Sequence, residues 1–153
     1  MVEPAETFGV VHIGREIASL AALLRANDLP TDDLGAPGQR FFRRQGPDGR
    51  VLGYIGLELL GSVALLRSLV VAEDARGRGH GSALVEHAAR HARAAGVEDL
   101  YLLTTTAADF FAAHGFERID RSAVPTAIAE SREFADLCPA SAIVMRRRLV
   151  GSA

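Results

Sequence analysis

Lysine is absent from this sequence of 153 residues, and all 17 of its basic residues are arginine. Without a lysine the chain cannot form a Schiff base with a carbonyl compound, which excludes ordinary pyridoxal-phosphate chemistry. A P-loop requires Gly-Lys followed by Ser or Thr, so a nucleoside-triphosphate site of that type is excluded as well. The missing residue therefore removes two large classes of phosphate-dependent enzyme.

The sequence also has a single cysteine, a small net charge and no long apolar run. The single cysteine, Cys138, excludes an internal disulfide and a cysteine-rich metal site. A net charge of −2 gives no electrostatic reason to expect nucleic acid or an anionic membrane as a partner. The apolar stretches are strand-length and interrupted by charge, and Met1–Glu6 is acidic and unlike a signal sequence. We therefore expect a cytoplasmic protein that has no membrane partner.

The pattern of apolar residues predicts a single α/β domain over residues 1–153, without linker or repeat. The predicted element order is β-α-α-β-β-β-α-β-α-β-α-β, which corresponds to a mixed sheet with helices on both faces. The predicted elements nearest the site are a helix over 32–36, a hairpin of strands 40–45 and 50–60, a strand over 63–72, and helices over 82–95 and 126–137.

A glycine-rich segment joins the strand over 63–72 to the helix that follows it. Its residues are Arg76, Gly77, Arg78, Gly79, His80, Gly81 and Ser82. The first N–H groups of a helix have no partner within the helix, and together with the helix dipole they attract an anion. Glycines let a ligand approach the backbone closely. The segment therefore predicts a site for a phosphate-bearing ligand, with a plain glycine-rich turn as the alternative.

The spacing of these glycines distinguishes between the possible classes of phosphate-bearing ligand. The dinucleotide fingerprint Gly-x-Gly-x-x-Gly fails, because Ser82 stands where its last glycine would be. Arg-x-x-Gly-x-Gly between a strand and a helix closely resembles the pyrophosphate loop of the GNAT superfamily of N-acetyltransferases. The predicted element order is similar to the GNAT fold over almost the whole chain. Segments 97–102 and 108–116 resemble the fifth strand and the fourth helix of that superfamily.

Within the superfamily the chain most resembles the small GNAT proteins linked to arsenic resistance, which are similar to the acetyltransferase domain of amino-acid N-acetyltransferases. That resemblance lies in 63–71, 102–107, 124–128 and 138–145. It implies transfer of an acetyl group from acetyl-CoA, a co-substrate used without a metal, to a primary amine of a small molecule. The candidate acceptors are an amino acid and an arsenical amino-acid analogue.

Two other functions remain open: acylation of a protein or peptide amino group, and a catalytically inactive acyl-CoA sensor. Homodimer formation is left open too.

The resemblance also implies roles for particular residues. The pantetheine arm of the coenzyme would lie along Leu69, Val70 and Val71, and the backbone N–H of Val70 would hold the developing oxyanion. All seven residues of the glycine-rich segment would bind the pyrophosphate. Phe111 would contact the coenzyme, and it stands where many GNAT enzymes carry a tyrosine that protonates the leaving thiolate. His114 and Tyr54 are the candidate substitutes for that acid, and a helix C-cap charge is the alternative role for His114.

Two charged residues fall inside the predicted strands. If Gly61 and Ser62 form a two-residue turn, Glu58 pairs with Leu65 and lies diagonally opposite Arg67 on one face. Charged side chains within apolar strands are costly unless they are paired or used. We therefore predict that Glu58 removes a proton from the amine and that Arg67 holds a carboxylate of the substrate. A purely structural ion pair is an equal alternative.

The remaining histidines and the cysteine give weaker signals. Cys138 has Asp136 nearby, which argues against an activated thiolate nucleophile. His87 and His91 are four residues apart on a predicted helix, but neither they nor His12 belong to a three-ligand pattern. No metal site is predicted.

Overall fold

One mixed sheet forms the centre of the part of the chain that the structure, a computed structural model, describes, namely residues 7–11, 16–137 and 141–149. Its strands are β1 (Thr7–Val10), β2 (Gln39–Gln45), β3 (Val51–Leu60), β4 (Val63–Val71), β5 (Asp99–Thr104), β6 (Glu117–Arg118) and β7 (Ile143–Arg148). They lie in the order β1-β2-β3-β4-β5-β7-β6, and β4 and β5 run parallel whereas the other neighbouring pairs are antiparallel.

Helices cover both faces of this sheet, as predicted. They are α1 (Ile17–Ala26), α2 (His80–Ala94), α3 (Ala108–Ala112) and α4 (Thr126–Ala129). On one face, Leu84 and Ala88 of α2 share a buried cluster with Leu66 and Leu100 of the sheet. The opposite face is covered by α1 and α4, whose apolar residues belong to two further clusters. Burying each large aliphatic side chain contributes about 2 kcal/mol, so these clusters hold the helices in place.

The β3–β4 hairpin has the predicted register. Leu60 pairs with Val63 across the turn at Gly61 and Ser62, and Glu58 therefore pairs with Leu65. A positive φ of 76° at Gly61 provides the backbone geometry that a two-residue turn needs.

Two predicted helices are wrong. The segment 32–36 is a turn, because the Gln39 side chain accepts a hydrogen bond from Gly35 N–H and donates one to the carbonyl oxygen of Asp33. The predicted helix over 126–137 breaks after α4, where the Ser131 hydroxyl donates to the carbonyl oxygen of Ile128 at 2.7 Å. A π-helical turn over Glu133–Leu137 follows.

Some predictions lie outside the described residues or differ from them in extent. His12, Cys138 and Met1–Glu6 lie outside the described residues. The last strand but one of the predicted order is short, with only the two residues of β6. Across the described ranges, no helix combines the length and apolar character that crossing a bilayer would require.

Candidate active site

A cleft of about 440 Å³ opens where β4 and β5 separate. The two strands pair only at their beginnings, from Val63 to Leu65 on β4 and from Asp99 to Tyr101 on β5. The later halves of both strands line the cleft together with the end of α1, the start of α2 and the segment before α3. A ligand in this cleft would face open backbone groups on both strands.

A β-bulge at Ser68 accompanies the separation of the strands. Gly56 pairs with Arg67 but Tyr54 pairs with Val70, so β4 has one more residue than β3 in this stretch. Ser68 has a φ of 58°, a left-handed conformation that is uncommon outside glycine. A bulge bends its strand and increases the local twist. The bulge thus lies at the point where β4 and β5 stop pairing.

The backbone direction along β4 corrects the predicted oxyanion donor. Ala72 N–H donates to the carbonyl oxygen of Leu52 on β3, and the Val70 carbonyl oxygen also lies on the β3 side, 2.6 Å from the place of a Cβ on Gly53. Backbone groups alternate in direction along a strand, so Val70 N–H points toward β3 and away from the cleft. Leu69 and Val71 are the neighbours whose N–H groups point into it.

The glycine-rich segment lies at one end of the cleft. Gly77 and Gly79 have φ values of 79° and 83°, and α2 begins directly after them at His80. Among the described residues, no side chain caps this helix, so its first N–H groups stay available to a ligand. Arg76 and Gly81 line the cleft itself. This end therefore has the geometry of an anion site.

The polar side chains of that segment are held by neighbours. The Arg76 guanidinium donates to the Asn27 side chain at 2.5 Å and to the Val71 carbonyl oxygen at 3.2 Å. Buried His80 accepts a hydrogen bond from Arg44 Nε at its Nδ1, so the imidazole proton lies on Nε2. Arg78 is exposed. Arg78 is thus the side chain of the segment that is best placed to move toward a bound anion.

The candidates for a general acid differ in position. Phe111 is buried, lines the cleft and packs edge-on against Phe110 and Phe116. His114 Nε2 lies 2.9 Å from the Ser82 hydroxyl, and its Nδ1 lies 3.4 Å from Glu86. Neither His114 nor Tyr54 is among the described residues that line the cleft.

Burial raises the pKa of the Tyr54 hydroxyl, which makes that hydroxyl a poorer proton donor. The Ser82–His114–Glu86 contacts instead connect α2 to the end of α3.

Arg67 is paired with Asp33, a residue that the sequence analysis did not select. Its Nη1 and Nη2 donate to the two carboxylate oxygens of Asp33 at 2.5 and 2.7 Å, and its Nε donates to the Ser68 hydroxyl at 3.1 Å. Burial raises the pKa of the Asp33 carboxyl, but the hydrogen bonds and charge of Arg67 outweigh it, so the pKa lies below its usual value. The bidentate pair occupies the face of the guanidinium that was predicted to hold a substrate carboxylate.

Glu58 lies beside Arg67 as the register predicted. Its Oε1 is 3.6 Å from Arg67 Nη1 and has no hydrogen-bond partner among the described residues. Glu58 lines a second cavity of about 390 Å³ next to Asp33, however, and is not among the described residues that line the cleft. The geometry therefore separates the predicted base from the cleft between β4 and β5.

Glu133, like Asp33, is a buried carboxylate that was not predicted from the sequence. It belongs to the π-helical turn, is 5% exposed, and lines the cleft beside Arg67 and Ser68. Its Oε2 has no hydrogen-bond partner within the described part of the chain. Burial raises the pKa of Glu133 to about 7, with the charge of Arg67 acting in the opposite direction. In the sequence, an acidic residue beside Phe134 gives no signal that distinguishes it from one on a solvated helix face.

Two histidines of α2, His87 and His91, belong to the apolar packing. The His87 ring stacks on Phe8 with centroids 4.1 Å apart, and His91 meets Phe42 edge-on. Over 7–11, 16–137 and 141–149, no group of three or more His, Cys, Asp or Glu side chains could hold a metal ion.

The chain matches one protein-family model and is similar in fold to several solved structures. The family model for the acetyltransferase (GNAT) domain matches residues 37–118, more than half of the chain. N-acetylglutamate synthase from Neisseria gonorrhoeae, in complex with coenzyme A and L-arginine, is 23% identical, with a TM-score of 0.76 over 95% of this chain. This chain spans only 34% of the length of that synthase.

Two smaller proteins match over nearly their whole length. The Mycobacterium tuberculosis protein Rv2747, in complex with CoA, is 22% identical, with a TM-score of 0.77 over 94% of this chain and 99% of its own. An acetyltransferase of the GNAT family from Staphylococcus aureus is 18% identical, with a TM-score of 0.74 over 94% of this chain and 100% of its own. At these identities the likeness concerns the fold.

Proposed function

The chain belongs to the GNAT acetyltransferase family, and from that membership we propose that it transfers an acetyl group from acetyl-CoA to the primary amine of a small molecule. The observation that carries the proposal is the alignment of three features along one cleft. The uncapped start of α2 lies at one end, the open backbone of β4 follows, and buried ionisable groups lie beyond the bulge at Ser68. An extended thioester with a phosphate group at its far end would match that order.

In this proposal the coenzyme contacts the start of α2, the later half of β4 and α3. The pyrophosphate contacts the backbone N–H groups at the start of α2, with Arg76 and Arg78 supplying positive charge. The pantetheine arm lies along Leu69 and Val71, whose backbone groups point away from β3. One of those N–H groups, and not that of Val70, holds the oxyanion that develops on the thioester carbonyl. Phe111 packs against the coenzyme from α3.

We take the acceptor to be a small amine, because the inner end of the cleft is lined by the buried side chains of Arg67, Ser68 and Glu133. A link to arsenic resistance stays a prediction of the sequence pattern, and none of the relatives described above is linked to arsenic by its description. An amino acid held through its carboxylate by Arg67 is disfavoured, since Asp33 already occupies that guanidinium.

The missing tyrosine at Phe111 favours one competing function, an acyl-CoA sensor without activity. Thiol release from acetyl-CoA in the presence of amines distinguishes the two functions. A thiol has a pKa of about 8.5, which makes its anion a tolerable leaving group without an acid. We therefore expect amine-dependent thiol release, and its absence with every amine tested would support the sensor.

The coenzyme site can be tested with a pair of glycine variants. Gly79 and Gly61 both have positive φ, 83° and 76°, and at both positions an added Cβ meets nothing within 4 Å. Gly79→Glu and Gly61→Glu therefore introduce the same side chain and a similar backbone strain, about 1–2 kcal/mol. Titration calorimetry with acetyl-CoA should show about 100-fold weaker binding for Gly79→Glu, because its carboxylate repels the phosphates.

Gly61→Glu should bind acetyl-CoA as the unmodified chain does, since it lies in the β3–β4 turn. Equal affinities of the two variants would remove the phosphate site from the start of α2.

A further inference from the structure

Three carboxylates surround one guanidinium at the inner end of the cleft. Asp33, Glu58 and Glu133 all interact electrostatically with Arg67. Arg67 and Asp33 form a bidentate pair and cancel each other in charge. Arg67 also lies 3.6 Å from Glu58, but among the described residues no second cation pairs with Glu58 or Glu133, and the preceding residue, Arg132, is exposed and lines only the second cavity. The group is therefore short of positive charge.

Glu133 is the member of this group that faces the cleft. It is 95% removed from solvent, lines the cleft with Arg67 and Ser68, and leaves Oε2 without a hydrogen-bond partner among the described residues. An unpartnered buried carboxylate oxygen is costly, and such a cost is acceptable where a ligand supplies the partner. Asp28 also lines the cleft, but it is exposed and adjacent to Asn27, which holds Arg76 at the phosphate end.

We propose that Glu133 binds the ammonium group of the acceptor and takes its proton, so that the acceptor is an amine that enters the cleft as a cation. This inference rests on the proposed acetyl transfer. It replaces Glu58 as the base and removes Arg67 from substrate binding.

The surroundings of Glu133 suit proton transfer. An alkylammonium has a pKa of about 10.4, so an ordinary glutamate with a pKa near 4.3 accepts its proton at a disadvantage of about 10⁶-fold. Burial and the negative charges of Asp33 and Glu58 raise the pKa of Glu133 to about 7, against the opposing charge of Arg67. The disadvantage then falls to about 10³-fold.

The proton balance is complete without another reactant. An N–H bond of the ammonium breaks, an O–H bond forms on Glu133, and the amine nitrogen becomes neutral. Its lone pair attacks the thioester carbonyl carbon, the C–S bond breaks, and the second nitrogen proton passes to the departing thiolate. Glu133 returns its proton to solvent. The products are the amide, CoA thiol and one proton.

The acceptor class can be tested with matched amines that differ in charge. Thiol release is measured at saturating acetyl-CoA with butylamine, 1,4-diaminobutane and 4-aminobutanoate. We expect kcat/KM for the first two to exceed that for 4-aminobutanoate at least tenfold, because the cation at the inner end of the described cleft, Arg67, is already paired with Asp33. Preference for 4-aminobutanoate would overturn the proposal and leave acetyl transfer intact. Absence of acetyl-CoA binding, or absence of turnover with every amine tested, would instead defeat the proposed function as a whole.

The role of Glu133 is tested by Glu133→Gln, which keeps the shape and removes the base. We expect kcat to fall about 10²-fold with the KM for acetyl-CoA nearly unchanged, and the rise of kcat/KM for the amine through pH 7 to disappear. Glu58→Gln is the matched comparison, because it removes the other carboxylate beside Arg67. A larger fall in kcat for Glu58→Gln than for Glu133→Gln would overturn the assignment.

The pH profile of the unmodified chain keeps the proposal testable if a variant does not fold. Its kcat/KM for the amine should rise with pH through a group that titrates near 7 in the unliganded protein, for which Glu133, facing Asp33, Glu58 and Arg67, is the assigned group. A kcat/KM that is flat between pH 6 and 8 would overturn the proposal.

Discussion

At the scale of single residues, Arg67 shows how a buried charge is retained in an apolar sheet. Its side chain is fully removed from solvent and bonded to Asp33, which lies in the turn after α1. A buried ion pair adds little net stability, but removing one partner strands the other charge. Arg67 therefore holds the turn against β4, which favours the structural alternative for its role.

Replacing Arg67 by methionine should be strongly destabilising. Arg67→Met leaves Asp33 buried without a partner, and we expect a loss of about 3–5 kcal/mol in the free energy of unfolding, measured with urea at pH 7. The double variant Arg67→Met/Asp33→Leu should recover most of that loss. Arg146→Met is the control, because its ion pair with Glu117 is largely exposed and contributes less than about 1 kcal/mol.

If Arg67 instead binds a carboxylate of the substrate, as the sequence suggested, Arg67→Met should change the free energy of unfolding only slightly and should lose a preference for carboxylated amines. That outcome would contradict the structural assignment.

At the scale of elements, the bulge in β4 shapes the site. It lies within the part of β4 that lines the cleft, beyond the part that pairs with β5, and it contains a residue, Ser68, with positive φ. An L-residue in that conformation costs roughly 1–2 kcal/mol relative to its usual regions. The Ser68 hydroxyl offsets part of that cost by accepting a hydrogen bond from Arg67 Nε.

Two substitutions at Ser68 separate the strain from the hydrogen bond. Ser68→Ala and Ser68→Gly both lose the hydroxyl, but only glycine adopts positive φ without strain. We expect Ser68→Gly to be more stable than Ser68→Ala by about 1–2 kcal/mol in urea unfolding. Equal stabilities would mean that the backbone relaxes out of the left-handed region when the hydroxyl is absent.

At the scale of the whole molecule, stability should depend on the ionisation of Glu133. Its folded-state pKa of about 7 exceeds its ordinary value of 4.5, so the native state holds the proton more tightly than the unfolded chain. The stabilisation is complete below pH 4.5 and is lost as the pH rises through 7, by at most about 3 kcal/mol. Asp33 acts in the opposite sense: its lowered pKa contributes stability above pH 3.8 that is lost on further acidification.

Urea unfolding at pH 5 and pH 7.5 tests this linkage. Between these two pH values, the difference in unfolding free energy between the unmodified chain and Glu133→Gln should shift by about 2 kcal/mol in favour of the variant at pH 7.5. A constant difference would show that Glu133 is not a buried acid.

We propose that residues 1–153 form one domain, so far-UV circular dichroism and tyrosine absorbance, from Tyr54 and Tyr101, should report one coincident transition.

Local patterns in the chain were enough to predict the sheet, the β3–β4 register and the glycine-rich start of α2, because strand alternation, turn residues and helix ends act over a few neighbouring positions. The partners of the charged groups were not predictable in this way. Asp33 and Arg67 are 34 positions apart, and Glu133 becomes buried only where Ser131 ends α4 and a π-helical turn packs over the cleft. Burial and charge pairing arise only when such distant segments meet in the folded chain. Burial and charge pairing in turn decide which carboxylate faces the cleft.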